Sequence, residues 1–164
     1  MEFRIDIPLK HNIWQKMTLL RDEYKIFNRN ADIFILALSI GIADDEIVEC
    51  EEVIGEGKSI PRTVMANYDI NHHLTFLYQN AILSSKHVSL DIEERKKVAF
   101  GQENIDSKYS PSNFLVKYAN YGMIKISECI TNHDIETIHN LVLLIKKYKE
   151  KSSIMDVDLE VLDI

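Results

Sequence analysis

With 164 residues and 46% hydrophobic side chains, the chain fits one domain with a sizeable core, which excludes an intrinsically disordered protein. Its net charge of −7 is the wrong sign for a free-standing nucleic-acid binder. Two cysteines, Cys50 and Cys129, are too few for a metal-ligand set or a disulfide framework, and a reducing, cytoplasmic setting is the default; neither a metal nor a cofactor is expected.

Five glycines and three prolines favour long helices over tight turns. Residues 1–9 read as a short strand: Phe3–Ile7 alternates apolar and polar side chains, and Pro8 ends it. From Asn12 the spacing becomes helical. Ile13, Met17, Leu20, Tyr24 and Phe27 share one face, widened by Trp14 and Leu19. Asn28-Arg29-Asn30 breaks that helix, and Asn30 is placed to cap the next one.

The next helix, Ala31–Ile42, has only two polar side chains, Asp32 and Ser39. A helix apolar on nearly all faces must be buried, and this one is shorter than the roughly 20 residues that a membrane span requires. It is expected at the centre of the fold. Residues 46–54 suit a strand or a poor helix, and Gly55–Ser59 suits a loop.

Helices then resume. Asn71 or Asp69 caps one with Leu74, Leu77, Tyr78, Ala81 and Ile82 inward. Asp91 and Glu94 form a capping-box pattern that opens a charged helix to Phe100. Ser110-Pro111 starts a helix to Ile130, with Leu115, Ala119, Met123, Ile126 and Ile130 on one face. Asn132 caps the last helix, whose predicted inner face is Ile135, Ile138, Val142, Ile145 and Tyr148. The tail, 153–164, alternates strictly over Met155–Val161 and reads as a strand that pairs with Phe3–Ile7 or adds to a partner's sheet, the remaining alternative being simple disorder. The expected fold is mainly α: a single helical domain over 10–150, with about six helices round 31–42 and minor β pairing of the termini.

Candidate chemistry is sparse. Gly55-Glu-Gly-Lys-Ser59 resembles the end of a phosphate-binding loop, but Glu52 stands where that loop needs its first glycine, and Pro61 blocks a helix at Lys58. Asp45, Glu56 and Lys58 match the acid…Glu-x-Lys set of a metal-dependent nuclease, in which two carboxylates hold Mg²⁺ beside a lysine. Glycines on both sides of Glu56 disfavour the strand this set needs. His72 and His73 point to different helix faces and have no metal-ligand spacing.

The densest feature is acidic. Asp44, Asp45, Glu46, Glu49, Glu51 and Glu52 put six acids in nine positions. Such a run is a solvated face, a patch that docks on a basic protein surface, or a cation site. The mid-helix Gly122 costs about 1 kcal/mol relative to alanine, which a close helix crossing would offset. Small-residue steps at Ala37/Gly41 and Ala119/Gly122 therefore predict that these two helices touch.

Asn30–Ile42, Glu93–Gly101 and Phe114–Ile126, taken in order over residues 10–130, resemble small accessory proteins of bacterial DNA-modification and phage-defence operons. These include proteins encoded beside phosphorothioation-type restriction systems and the small subunits that accompany SMC-like ATPases. The shared pattern is carried by Asp32, Phe34, Ala37 and Gly41, and by Tyr118, Ala119, Asn120 and Gly122, with Tyr121 replacing a glycine. The resemblance implies no catalytic residues. It implies a non-catalytic cytoplasmic subunit that binds an ATPase or nuclease of the same operon, without membrane or direct nucleic-acid contact. The alternatives are a metal-dependent nuclease using Asp45, Glu56 and Lys58, and a small transcriptional regulator.

Overall fold

A computed structural model describes residues 7–9, 12–49, 58–70, 72–101 and 107–160. Strand β1 (Ile7–Leu9) leads into a composite helix, α1, made of a 3-10 turn (Asn12–Gln15), an α turn (Lys16–Thr18) and a π turn (Leu19–Glu23). Next come α2 (Asn30–Asp44), β2 (Lys58–Ile60), α3 (Arg62–Tyr68), α4 (His73–Ser84), α5 (Ile92–Ala99), α6 (Pro111–Glu128) and α7 (Asp134–Glu160). The fold is mainly α.

Helix α2 is central, as its apolar surround demands: Ala31, Ile33, Phe34, Ala37, Leu38, Ile40 and Gly41 are all buried. It starts at its expected cap, one residue earlier than expected, with Arg29 in the cap position. Asn30 is helical, and its side-chain oxygen accepts from the Arg21 guanidinium at 2.8 Å. The most extensive helix–helix contact is between α2 and α6. It is close enough to exclude side chains. A Cβ added at Gly122 would sit 1.8 Å from the Ala37 carbonyl oxygen, and one at Gly41 would sit 2.2 Å from that of Tyr118. Ala119 is fully buried beside them in sequence. Trp14 stacks on Phe34 with ring centroids 6.0 Å apart, which fixes α1 on α2.

Local signals place several helix ends. Asp91 and Glu94 form the complete capping box of α5. Gly101 follows α5 in the left-handed region (φ +69°), where a β-carbon would be strained. Pro111 is the first residue of α6, and Leu115, Ala119, Met123 and Ile126 are buried. Asp69 accepts from the Thr75 amide at 2.9 Å and from its hydroxyl at 2.6 Å, so it caps α4 from outside the helix.

Three expectations need correction. The strand partner of β1 is β2, antiparallel with Ile7 opposite Ile60, so Lys58 and Ser59 lie in a strand and not in a loop. Residues 155–160 continue α7 rather than forming a strand. Extending an existing helix fixes one residue per hydrogen bond gained, whereas an unpaired strand gains none. Residues 3–6 and 161–164, which the terminal pairing also used, lie outside the described residues. Finally, α7 presents a different inner face. Thr137 and Leu141 are buried and Leu144 and Tyr148 half-buried, while Ile135, Ile138, Val142 and Ile145 are exposed.

The crossing predicts the effect of adding a single methyl group. Gly122→Ala gains helix propensity yet is expected to lose about 1–3 kcal/mol net, because the backbone of α2 cannot yield as a side chain would. Urea unfolding monitored by circular dichroism reads the change; equal or higher stability would show that the helices separate without cost.

Candidate functional site

The acidic run begins where α2 ends. Its last residues are held by neighbours from three other parts of the chain. Asp45 adopts the left-handed conformation (φ 49°, ψ 49°), which a short polar side chain tolerates better than most. The amides of Asp45 and Glu46 return to the carbonyls of Ile42 and Gly41, both at 3.1 Å, and terminate the helix.

Asp44 turns towards α6 and α7. Its carboxylate accepts from the hydroxyls of Tyr148 at 2.6 Å and Tyr121 at 3.2 Å, and from the Lys151 ammonium at 2.9 Å. Lys151 also donates to the Ala43 carbonyl at 2.8 Å. Burial pushes the Asp44 carboxyl up, but the hydrogen bonds from Tyr148, Lys151 and Tyr121 outweigh it and hold the group below the ordinary carboxylate range. The same burial, together with the adjacent carboxylate, pushes the Tyr148 hydroxyl upward, so it stays a donor.

Asp45 turns the other way, towards the α4–α5 loop. It accepts from the Lys86 amide at 3.0 Å and from the Tyr118 hydroxyl at 3.2 Å. The Tyr118 hydroxyl also lies 2.5 Å from Ser85 Oγ, and burial pushes it up to about 12. For Asp45 too, burial acts upward and is outweighed, here by Ser85, the Lys86 amide and Tyr118. His87 Nε2 lies 3.0 Å from the Asp45 carbonyl, which only accepts, so that nitrogen carries the proton. Glu46 pairs with Lys86 at 2.6 Å, and Glu49 with Lys117 at 2.8 Å.

The loop that meets Asp45 is itself built on one side chain. The Arg95 guanidinium donates to the carbonyls of Leu83 (3.1 Å), Ser85 (3.0 Å) and Leu90 (3.0 Å), and to that of Val88. Its planar fork of donors suits four converging carbonyls in a way that an ammonium cannot.

Residues 118–122 of α6 tie the network to the crossing. Tyr118 reaches Ser85 and Asp45, while Tyr121 reaches Asp44. The fully buried Asn120 accepts from Trp14 Nε1 at 2.8 Å and donates to the Val48 carbonyl at 3.2 Å. Gly122 admits the α2 backbone. Four of the five positions of that short motif therefore have a local structural use, and the fifth, Ala119, is fully buried.

These contacts change the meaning of the acidic run. Asp44, Asp45, Glu46 and Glu49 are bonded within the chain, while Glu51 and Glu52 lie outside the described residues. Of the candidate nuclease set, the Asp45 carboxylate is engaged as above, Lys58 lies in β2 and Glu56 lies outside the described residues. Among the described residues, no group of three His, Cys, Asp or Glu side chains is arranged to hold a metal ion. No helix of the described residues is long and apolar enough to cross a membrane.

The feature that sequence reasoning assigned to the core is the outer face of α7. Ile135 is 78% exposed, Ile138 43%, Val142 42% and Ile145 45%. Both faces of α7 carry helical spacing, so periodicity alone had no means to choose between them. Further exposed apolar side chains are Ile70, Phe76, Ile92 and Phe100. Comparison with known proteins adds nothing to this geometry: no protein-family model matches the chain, and neither the curated proteins nor the solved structures contain a significant match.

Two outcomes follow. Asp44 is ionised at lower pH in the folded chain than in the unfolded one, so its contribution is present above the ordinary carboxylate value of about 3.9 and lost as pH falls through its lowered folded value. Asp44→Asn is expected to cost about 1–2 kcal/mol at neutral pH, with the difference shrinking in acid; thermal unfolding across that range measures it. Arg95→Lys is expected to cost about 2–3 kcal/mol by leaving carbonyls unpaired. It should also raise amide hydrogen exchange at residues 85–90 before the α2 and α6 amides respond.

Proposed function

We propose that this chain is a non-catalytic accessory subunit that works by binding protein. The observation that carries this reading is the set of large apolar side chains left in solvent, five of them on α7: Ile135, Ile138, Val142, Leu143 and Ile145. Continuous exposed apolar surface on a helix marks a protein interaction site more often than a catalytic one. The acidic groups at the α2 terminus support the same reading from the other side. Their hydrogen bonds hold the fold, so the chain's titratable density serves structure rather than chemistry.

The resemblance of residues 10–130 to accessory proteins of defence operons supplies the expected setting: a bacterial DNA-processing or anti-phage complex with an ATPase or nuclease partner. A net charge of −7 fits a subunit whose partner, rather than itself, contacts DNA.

The test is binding between the purified chain and the ATPase or nuclease encoded beside its gene, followed by isothermal titration. Replacing the exposed Phe76 and Phe100 together by serine, or the exposed Ile138 by aspartate, should weaken the complex about tenfold or more in at least one case, without lowering the melting temperature. Absence of a complex with any neighbouring gene product, or DNA cleavage by the chain alone with Mg²⁺ that is lost in Glu56→Ala, would overturn it.

A further inference from the structure

We infer that the occupant of the α7 stripe is a second copy of this chain, laid antiparallel across it. This rests on the protein-association reading above and names the partner of one of its surfaces. The stripe residues Ile135, Ile138, Val142 and Ile145 are spaced three, four and three apart, the alternation that packs one helix against another. At 3.6 residues per turn, the stripe lies about 120° round α7 from the inner face of Thr137, Leu141, Leu144 and Tyr148. The helix can therefore hold its own core and a neighbour at once.

The spacing is also self-complementary. With a two-fold axis near Asn140, Ile135 faces Ile145 of the second copy, and Ile138 faces Val142. Both layers join the two different positions of the repeat, as antiparallel helix pairs require. Charge selects this direction over the parallel one. Exposed Asp134 flanks the start of the stripe, and exposed Lys146 and Lys149 its end, while Glu136 and Lys147 lie further round the helix. An antiparallel pair sets acid against base at both ends and opposes the two helix dipoles. A parallel pair sets like against like at both. The stripe spans about 15 Å of helix, which is small for an interface, so the dimer is a weak one.

Sedimentation equilibrium on the full chain gives the first test. A mass that rises to twice the monomer's with concentration is expected, and Ile135→Asp combined with Ile138→Asp should return it to monomer with helical content unchanged. A chain that stays monomeric well above micromolar concentrations overturns the inference, even where the complex with a neighbouring gene product forms. A dimer without that complex upholds the inference and removes the partner reading instead. Disulfide trapping settles direction in a chain whose own Cys50 and Cys129 are replaced by serine. Ile135→Cys mixed with Ile145→Cys should cross-link, while Ile135→Cys alone should not, because the two Ile135 positions lie about 15 Å apart along the antiparallel pair. Efficient cross-linking of Ile135→Cys alone overturns the antiparallel arrangement.

Discussion

The close approach of α2 and α6 is the constraint on which the rest of the structure depends. At Gly122 and Gly41 each helix backbone lies where the other's β-carbon would be. Such a separation removes water from the seam and brings many weak dispersion contacts to their optimum. It also sets the direction of everything else on α6. Once Gly122 faces Ala37, Tyr118 and Tyr121 project towards the end of α2, and Asn120 projects towards Trp14 and Val48.

The polar network at the end of α2 follows from that geometry. Two adjacent aspartates leave the helix in opposite directions, Asp44 to α6 and α7 and Asp45 to the α4–α5 loop. Adjacent carboxylates repel, and partial burial adds to the cost. Convergent hydroxyl, amide and ammonium donors offset both terms. The network joins parts of the chain far apart in sequence, with Asp44 bonded to Tyr148 and Asp45 to Lys86. Asp44 and Asp45 therefore do their work inside the fold, while Glu46 and Glu49 pair with lysines at its surface.

Much of the helical frame was legible from local chemistry. The run Ala31–Ile42 has no polar face to offer water, so its burial follows whatever the topology. The Asp91–Glu94 box and Ser110-Pro111 satisfy backbone groups within a few residues of themselves and need no distant partner. The small residues Ala37, Gly41 and Gly122 identified the helix crossing because a glycine inside a helix is unfavourable unless something approaches it. The site was less legible. Six acids in nine positions announced charge, but the donors that meet Asp44 and Asp45 lie 41 to 107 residues away in sequence.

Sequence alone determined that this chain is mainly α, that Ala31–Ile42 is its centre, and where α5 and α6 begin. Those properties depend on side-chain polarity and on hydrogen bonds between near neighbours. Tertiary structure alone decided which stripe of α7 is inside. Ile135, Ile138, Val142 and Ile145 repeat with the same period as Leu141, Leu144 and Tyr148, and they are no less apolar. The choice falls to long-range bonds that hold one side down, Tyr148 to Asp44 and Lys151 to the end of α2, with the local bond from the Thr131 amide to the Thr137 hydroxyl on the same side. A helical period specifies that a face exists; only the groups waiting for it across the fold specify which one turns inward.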